Sequence, residues 1–395
     1  MSDALVARMR QFGETIFAEM TRLAAETQAV NLGQGFPDTD GPEALVRSAG
    51  AHMANGVNQY PPGLGRPELR SAVAADRRLR FGLDYDPDSE VYVTVGATAG
   101  IAASVLGLVE AGDEVVVLEP MYDSYAAAIA LANGVARPVT LRPDAGGTRF
   151  TFDPAELRAV VGPRTRMIIV NSPHNPTGTV LRRSELETIA ELCREHDLLA
   201  VTDEVYEHLI FDGAEHIPLA SLPGMRERTL AISSAGKTYS VTGWKIGWVM
   251  GPKPLVRAVR TVNQFLTFTA NGALQLAVAE AITSQQEWVQ QQRAALEQKR
   301  DRLATGLARA GLRPHVPQGT YFVMADIRPL GFEDGVELAR SLPHAAGVVT
   351  VPAQVFYADP AEGRHLVRFA FCKQDPVLDE AVRRLEARMP QPQGT

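Results

Sequence analysis

The chain predicts an α/β fold in which a mostly parallel seven-stranded sheet forms a large unit and a smaller α+β unit follows it. Short, continuous Val- and Ile-rich runs alternate with helix-like segments from about residue 91 to 251, the pattern of strands covered on both faces. Beyond Gly311 the runs change character to GTYFVMADI, VVTVPAQVF and HLVRFAF, whose alternation suits a smaller α+β unit. Between the two regions lies a long polar-amphipathic stretch without a proline.

In chain order, residues 1–40 are too short to fold alone and are expected to pack on the second unit. The large unit is expected over 41–280. Its strand candidates are VYVTV (91–95), EVVVLE (114–119), MIIVNS (167–172), LLAVTDE (198–204), TLAISS (229–234) and IGWVMG (246–251). VARPVTL (135–141) carries a proline and belongs at an edge. Helical patterns cover 99–110, 122–132 and 184–196. Residues 274–310 read as one long helix linking the units, with the small C-terminal unit over 281–395.

Composition narrows the class. At 395 residues, one large domain and a smaller one are the default. Hydrophobic residues at 45% and charged ones at 22% describe an ordinary globular protein. A net charge of −7 argues against nucleic acid or anionic membrane as the main partner. Cys193 and Cys372 stand alone, outside any metal spacing, which fits a reduced, cytoplasmic protein that binds no metal. No signal-peptide core is visible, and no apolar run approaches the roughly 18 residues of a membrane span. Only the tail 389–395 reads as disordered.

The chemistry is concentrated where the strands end. In open α/β sheets, ligands sit beyond the carboxyl ends of parallel strands. VYVTV is followed by GATAG and then an apolar helix. EVVVLE is followed by Tyr122, and MIIVNS by PHNPTG. LLAVT leads into Asp203 and Tyr206, and TLAISS into the glycine-flanked Lys237. Singly these have ordinary readings: a loop lysine, a helix cap, a core tyrosine, a turn. Together they suit an aromatic aldehyde phosphate. GATAG offers a helix N-terminus to phosphate, and Tyr122 can stack on a ring. An ionised Asp203 can hold a proton on a ring nitrogen, which needs a pKa below its ordinary value. Tyr206 and Asn175 can hydrogen-bond a phenolic oxygen, and Lys237 can form the Schiff base.

The chain resembles the fold-type-I, class I/II pyridoxal-phosphate aminotransferases over about residues 12–385. The likeness rests on NLGQGFPD (31–38), NQYPPGLG (58–65), NSPHNPTG (171–178), DEVYEHL (203–209), SSAGKTYSVTGWKIGW (233–248) and HLVRFAFCK (365–373). It is similar to kynurenine, glutamine and methionine aminotransferases and to actinobacterial N-succinyldiaminopimelate aminotransferases. The resemblance implies pyridoxal 5′-phosphate as cofactor and Lys237, Asp203 and Tyr206 as catalytic residues. It also implies that Arg368 grips the substrate α-carboxylate, that Asn175 touches both cofactor and carboxylate, and that Gly35 lines the carboxylate pocket. Ala97, Thr98, Ser234 and Lys245 correspond to the phosphate site. Phe17, Phe268 and Tyr321 fall where relatives shape the side-chain pocket. Tyr60 and Phe268 correspond to residues contributed across a homodimer interface. Relatives often carry Trp at the place of Phe17 and His at the place of Thr269.

The expected activity is transfer of an amino group between an L-α-amino acid and a 2-oxo acid, by a ping-pong mechanism. Neutral, sulfur-containing or aromatic donors are favoured because no second arginine matches a position for a distal carboxylate. Two alternatives share the same residues: an N-succinyldiaminopimelate aminotransferase of lysine biosynthesis, and a cysteine-conjugate β-lyase. A non-catalytic aminotransferase-like regulator is a third, set against by the lack of room for a DNA-binding module before residue 12.

Overall fold

The computed structural model describes residues 4–13, 15–144 and 146–389. The expected disordered tail lies, beyond Met389, outside them. The seven-stranded sheet runs in the order Val91–Val95, Ile246–Met250, Thr229–Ser234, Leu199–Asp203, Thr165–Asn171, Glu114–Glu119, Val135–Thr140. The last five are mutually parallel, while Ile246–Met250 runs antiparallel to both its neighbours. The proline-bearing strand is at the edge, where Pro138 costs no ladder bond to a further strand.

Period-two alternation explains why these strands are apolar throughout. Val115, Val117, Ile169, Val201 and Ile232 enter one core with Ile101, Val105 and Val259 from the helices Gly96–Leu108 and Lys253–Leu266. Val116, Ile168, Val170 and Ala200 enter another, with Leu186, Ile189 and Cys193 of the helix Arg183–Glu195. Helices on both faces leave the loops at the strand ends as the open rim.

The second, antiparallel sheet comprises Arg313–His315, Phe322–Asp326, Leu366–Ala370 and Val351–Pro352. The strand Val30–Asn31 pairs in parallel with Val348–Val349, and the helix Ile16–Thr27 lies on Gly335–Ala345. The expected run 348–356 is therefore split between two pairings. Thr350 makes the break, its hydroxyl donating to the Arg368 carbonyl at 2.7 Å.

The single linking helix expected over 274–310 is two helices, Gly272–Ser284 and Gln286–Arg309. The first is apolar on most sides and is buried against Glu43–Ala54 and Pro67–Phe81. The second carries one apolar stripe and packs on Asp375–Arg388. No straight rod reaches both surfaces, so the chain bends at Gln285 (φ −107°, ψ 24°), whose N–H still caps Ala281 O at 2.9 Å.

Behind the strand ends lies a buried ionic cluster. Arg77 donates to Glu204 Oε2 at 3.0 Å and Glu207 Oε1 at 2.6 Å, and all three residues are 2% exposed. Arg80 adds a bond to Glu207 Oε2 at 2.9 Å, and the Ser233 hydroxyl donates to Glu207 Oε1 at 2.6 Å. Removing Arg77 leaves Glu204 without a guanidinium and Glu207 with Arg80 as its remaining one, so Arg77→Ala should lose about 3–5 kcal/mol of folding stability. Urea unfolding at fixed protein concentration measures this, and a loss below about 1 kcal/mol would mean the cluster is not what fixes these strand ends.

Candidate active site

Strand ends from the large sheet and two segments of the smaller unit enclose a cavity of about 430 Å³. Lys237 sits in the helical turn Ala235–Thr238, directly after the strand Thr229–Ser234. Asp203 is the last residue of the neighbouring strand, in register with Asn171 of the next. Tyr206, Tyr122, Ala97, Thr98, Ser234, Lys245, Asn175, Gly35, Phe17 and Arg368 join Lys237 and Asp203 on the wall.

Three expected residues lie elsewhere. Tyr60 and Phe268 are off the cavity wall, 82% and 47% exposed, with their rings edge-on at 5.1 Å. Tyr321 is also off the wall; it is 1% exposed, and it accepts the Lys237 amine hydrogen bond at 3.0 Å while donating to Gly35 O at 2.7 Å. Here it touches the lysine, not the side-chain pocket. Phe322, which sequence reasoning missed, takes the wall position beside Gly35. A Cβ at Gly35 would stand 2.5 Å from the Phe322 ring, so only glycine fits there. Gln34 and Phe36 on the wall were also missed, although both flank the recognised Gly35.

The amine of Lys237 is pulled down to about 8 by burial, with Cys372 and Asp203 acting the other way. About a tenth of it is therefore neutral, and nucleophilic, near pH 7, far more than at the ordinary lysine value. Asp203 departs from expectation. Burial raises its pKa above the ordinary carboxylate value, against the opposing hydrogen bonds from Tyr125 and the Val205 N–H. Its nearest cation in the protein is too weak to offset desolvation. A protonated pyridine nitrogen is the kind of partner that would reverse the direction. Tyr206 is likewise raised by burial and stays a neutral phenol.

An anion site lies at the other end of the cavity. Gly96, at φ +75°, opens the 13-residue helix Gly96–Leu108 and directs the N-terminal amides of Ala97 and Thr98 towards it. Lys245, itself left-handed at φ +55°, brings its ammonium alongside, about 3.4 Å from where a Gly96 Cβ would stand. A cationic side chain beside a positive helix end suits a phosphate. Arg368 is 2% exposed, and burial lowers it to about 10. It donates to Asn175 Oδ1 at 3.2 Å and Gly33 O at 3.1 Å, while Nε has no protein partner. The rings of Phe322, Phe356 and Phe17 lie 4.0, 5.1 and 5.2 Å from its guanidinium carbon. That unpaired N–H suits a carboxylate. Lysine, carboxylate, stacking tyrosine and anion site therefore fit pyridoxal phosphate.

Such a fold and site define the pyridoxal-phosphate enzymes of fold type I, and comparison with known proteins agrees. The chain belongs to the family Aminotransferase class I and II, whose profile matches residues 27–385. It is a pyridoxal 5′-phosphate-dependent aminotransferase. It is 51% identical to a Mycobacterium tuberculosis protein described as probable N-succinyldiaminopimelate aminotransferase, over 98% of this chain and 99% of that one. It is 39% identical to the methionine aminotransferase of Escherichia coli, over 96% and 97% of the respective chains. The solved N-succinyldiaminopimelate aminotransferase structure from Mycobacterium tuberculosis superposes with a TM-score of 0.94 at 51% identity, covering 97% of this chain and 99% of that one.

The low pKa of Lys237 has a direct readout. Attachment of pyridoxal phosphate to the cofactor-free protein should speed up with pH by about tenfold per unit and level off above the lysine pKa, near 8. Stopped-flow absorbance between about pH 6 and about pH 10 measures it. A plateau reached only near the ordinary lysine value would show that burial does not tune this amine.

Proposed function

We propose that Lys237 carries the cofactor and transfers the substrate Cα proton during amino-group exchange between an L-α-amino acid and a 2-oxo acid. The observation that carries this reading is the half-buried Lys237 amine on the cavity wall, one strand away from Asp203. Bound there, pyridoxal phosphate supplies an electron sink and an amino-group carrier. Asp203 holds the ring-nitrogen proton, Tyr206 and Asn175 bond the ring oxygen, and Tyr122 stacks on the ring. Ala97, Thr98, Ser234 and Lys245 hold the phosphate. Arg368 grips the substrate α-carboxylate from its aromatic surround, and Asn175 and Gly35 line the same place. Once displaced from the cofactor, Lys237 is positioned as general acid and base for the Cα proton.

Neutral, sulfur-containing or aromatic donors are the substrates this cavity favours. Among the described residues, its basic side chains are Lys237, Lys245 and Arg368, and each already has a role. Phe17, Phe36 and Phe322 supply apolar wall. A distal carboxylate buried there without a partner is costly. The second reading, an N-succinyldiaminopimelate donor, is favoured by the likeness to the Mycobacterium tuberculosis relative, 51% over nearly the whole chain. Its distal polar end would then meet Gln34, a wall residue whose amide donates to Thr21 Oγ1 at 2.6 Å.

The assembly that suits this site is a homodimer in which Tyr60 and Phe268 reach the partner's cavity. Its support is the exposure of this ring pair and of Phe265 and Leu266, two to three residues before Phe268 in the chain and 83% and 56% exposed. The division proposed is 1–40, 41–280 and 281–395; the pairing of Val30–Asn31 to Val348–Val349 supports joining the first part to the last, and the second boundary falls within the helix Gly272–Ser284. Free, buried Cys193 and Cys372 agree with a reducing, cytoplasmic setting.

Borohydride reduction followed by peptide mapping should place the pyridoxyl group on Lys237, and Lys237→Ala should bind the cofactor without turning over. Label on Lys245 instead would refute the assignment. Asp203→Asn should lower kcat by about 100-fold or more while cofactor binding suffers less. Comparing kcat/KM for methionine, kynurenine, aspartate and N-succinyldiaminopimelate with one acceptor decides the donor. A preference for either of the last two would refute the neutral-donor reading. Pyruvate and ammonia formed without an acceptor would mark a β-lyase.

A further inference from the structure

We propose that Tyr125 is a positioning residue that turns the Asp203 carboxylate towards the cofactor ring nitrogen and keeps it charged. The proposal rests on the reading of Asp203 above and adds the group that makes Asp203 competent.

Tyr125 lies in the helix Asp123–Leu131, 3% exposed and absent from the cavity wall. Its hydroxyl donates to Asp203 Oδ2 at 2.6 Å, a short, charge-assisted bond. Oδ1 receives only the long contact from the Val205 N–H, at 3.3 Å. The Asp203 peptide oxygen is taken by the Asn171 amide at 2.8 Å. One carboxylate oxygen is thus pinned below the cavity, and the other retains acceptor capacity in a residue that lines it. The pin is itself fixed, because the Tyr125 ring stands edge-on to Tyr122 at 5.7 Å in a fully packed core. Spacing explains the arrangement. Tyr122 and Tyr125, three residues apart at the start of one helix, lie on one side of it. The first reaches the cavity wall and the second reaches the acid beneath.

The surroundings give the bond its consequence. Burial raises the phenol of Tyr125 well above its ordinary value, so it stays protonated and donates throughout the working range. Burial also disfavours the charged form of Asp203, and the Tyr125 hydrogen bond is the largest contribution against that. The other ionisable groups acting on Asp203 are Lys237 and Glu204, and Tyr122 and Tyr206 also sense it. None of these groups makes a hydrogen bond to its carboxylate. Without Tyr125 a proton shared between Asp203 and a pyridine nitrogen moves towards the acid, and the ring loses its positive charge.

The test uses holoenzyme loaded with pyridoxal phosphate labelled with nitrogen-15 in the ring, whose chemical shift reports protonation of that nitrogen. Wild type should keep the nitrogen protonated across the stable pH range, and Asp203→Asn should not. In Tyr125→Phe, which retains the ring packing, the nitrogen signal should move part of the way towards the unprotonated position at every pH, because the shared proton passes to the acid without leaving the pair. kcat should fall by about 10- to 100-fold with the donor KM within about twofold. Tyr125→His, which returns an N–H donor, should recover part of the shift, and it carries the test if the Phe variant does not hold the cofactor. A nitrogen signal in Tyr125→Phe that coincides with that of wild type, while Asp203→Asn moves it, overturns the role of Tyr125. A nitrogen unmoved in Asp203→Asn overturns instead the placement of Asp203 on which the proposal rests.

Discussion

The guanidinium of Arg77, buried between Glu204 and Glu207, is the interaction on which the geometry of this site depends. Asp203 and Ser234 line the cavity, and their chain neighbours Glu204 and Ser233 turn away and enter the ionic cluster. Alternation along an extended chain makes this unavoidable. Asp203 and Ser234 are thereby each held by a neighbour from the opposite side. Buried ion pairs add little net stability compared with apolar packing, but broken ones are costly, so the cluster tolerates few alternative arrangements. The price of that rigidity is a core that accepts charge.

A second constraint comes from desolvation. Lys237, Asp203, Tyr206 and Arg368 are all displaced from their ordinary pKa in the direction burial dictates, towards the neutral form. Three of them keep a hydrogen bond that selects the orientation: Tyr321 for Lys237, Tyr125 for Asp203, Asn175 for Arg368. Two of these partners, Tyr321 and Tyr125, lie behind the cavity wall, and Asn175 lies on it. Tyrosines and an amide orient a neighbour without adding a competing full charge.

Much of this was legible in the sequence because strands covered on both faces announce themselves as unbroken apolar runs. The runs 91–95, 114–119 and 229–234 coincide with Val91–Val95, Glu114–Glu119 and Thr229–Ser234. Knowing where they end placed Lys237, Asp203 and Tyr122 at one rim. What was not legible depends on packing between distant segments. The break at Gln285 follows from which surfaces two helices cover, not from any breaker residue. Phe322 carries no motif either; its place on the wall, next to Tyr321 which bonds the Lys237 amine, follows from how the smaller sheet meets the larger one. Tyr125 carries no motif of its own; only the fold shows that it lies under Asp203.

The electrostatic contrast between the molecule and its cavity has a kinetic side. The chain carries a net charge of −7, yet the cavity wall presents Lys245, Arg368, part-charged Lys237 and a positive helix end against one carboxylate. An anion approaching from far away meets weak repulsion, which salt screens over roughly 8–10 Å. Within that distance the low-dielectric walls concentrate the field of the local cations. Added salt therefore relieves the outer repulsion and weakens the inner attraction at once. Capture of a doubly charged phosphate is governed by the mouth of the cavity, and the overall charge of the protein is a poor guide to it.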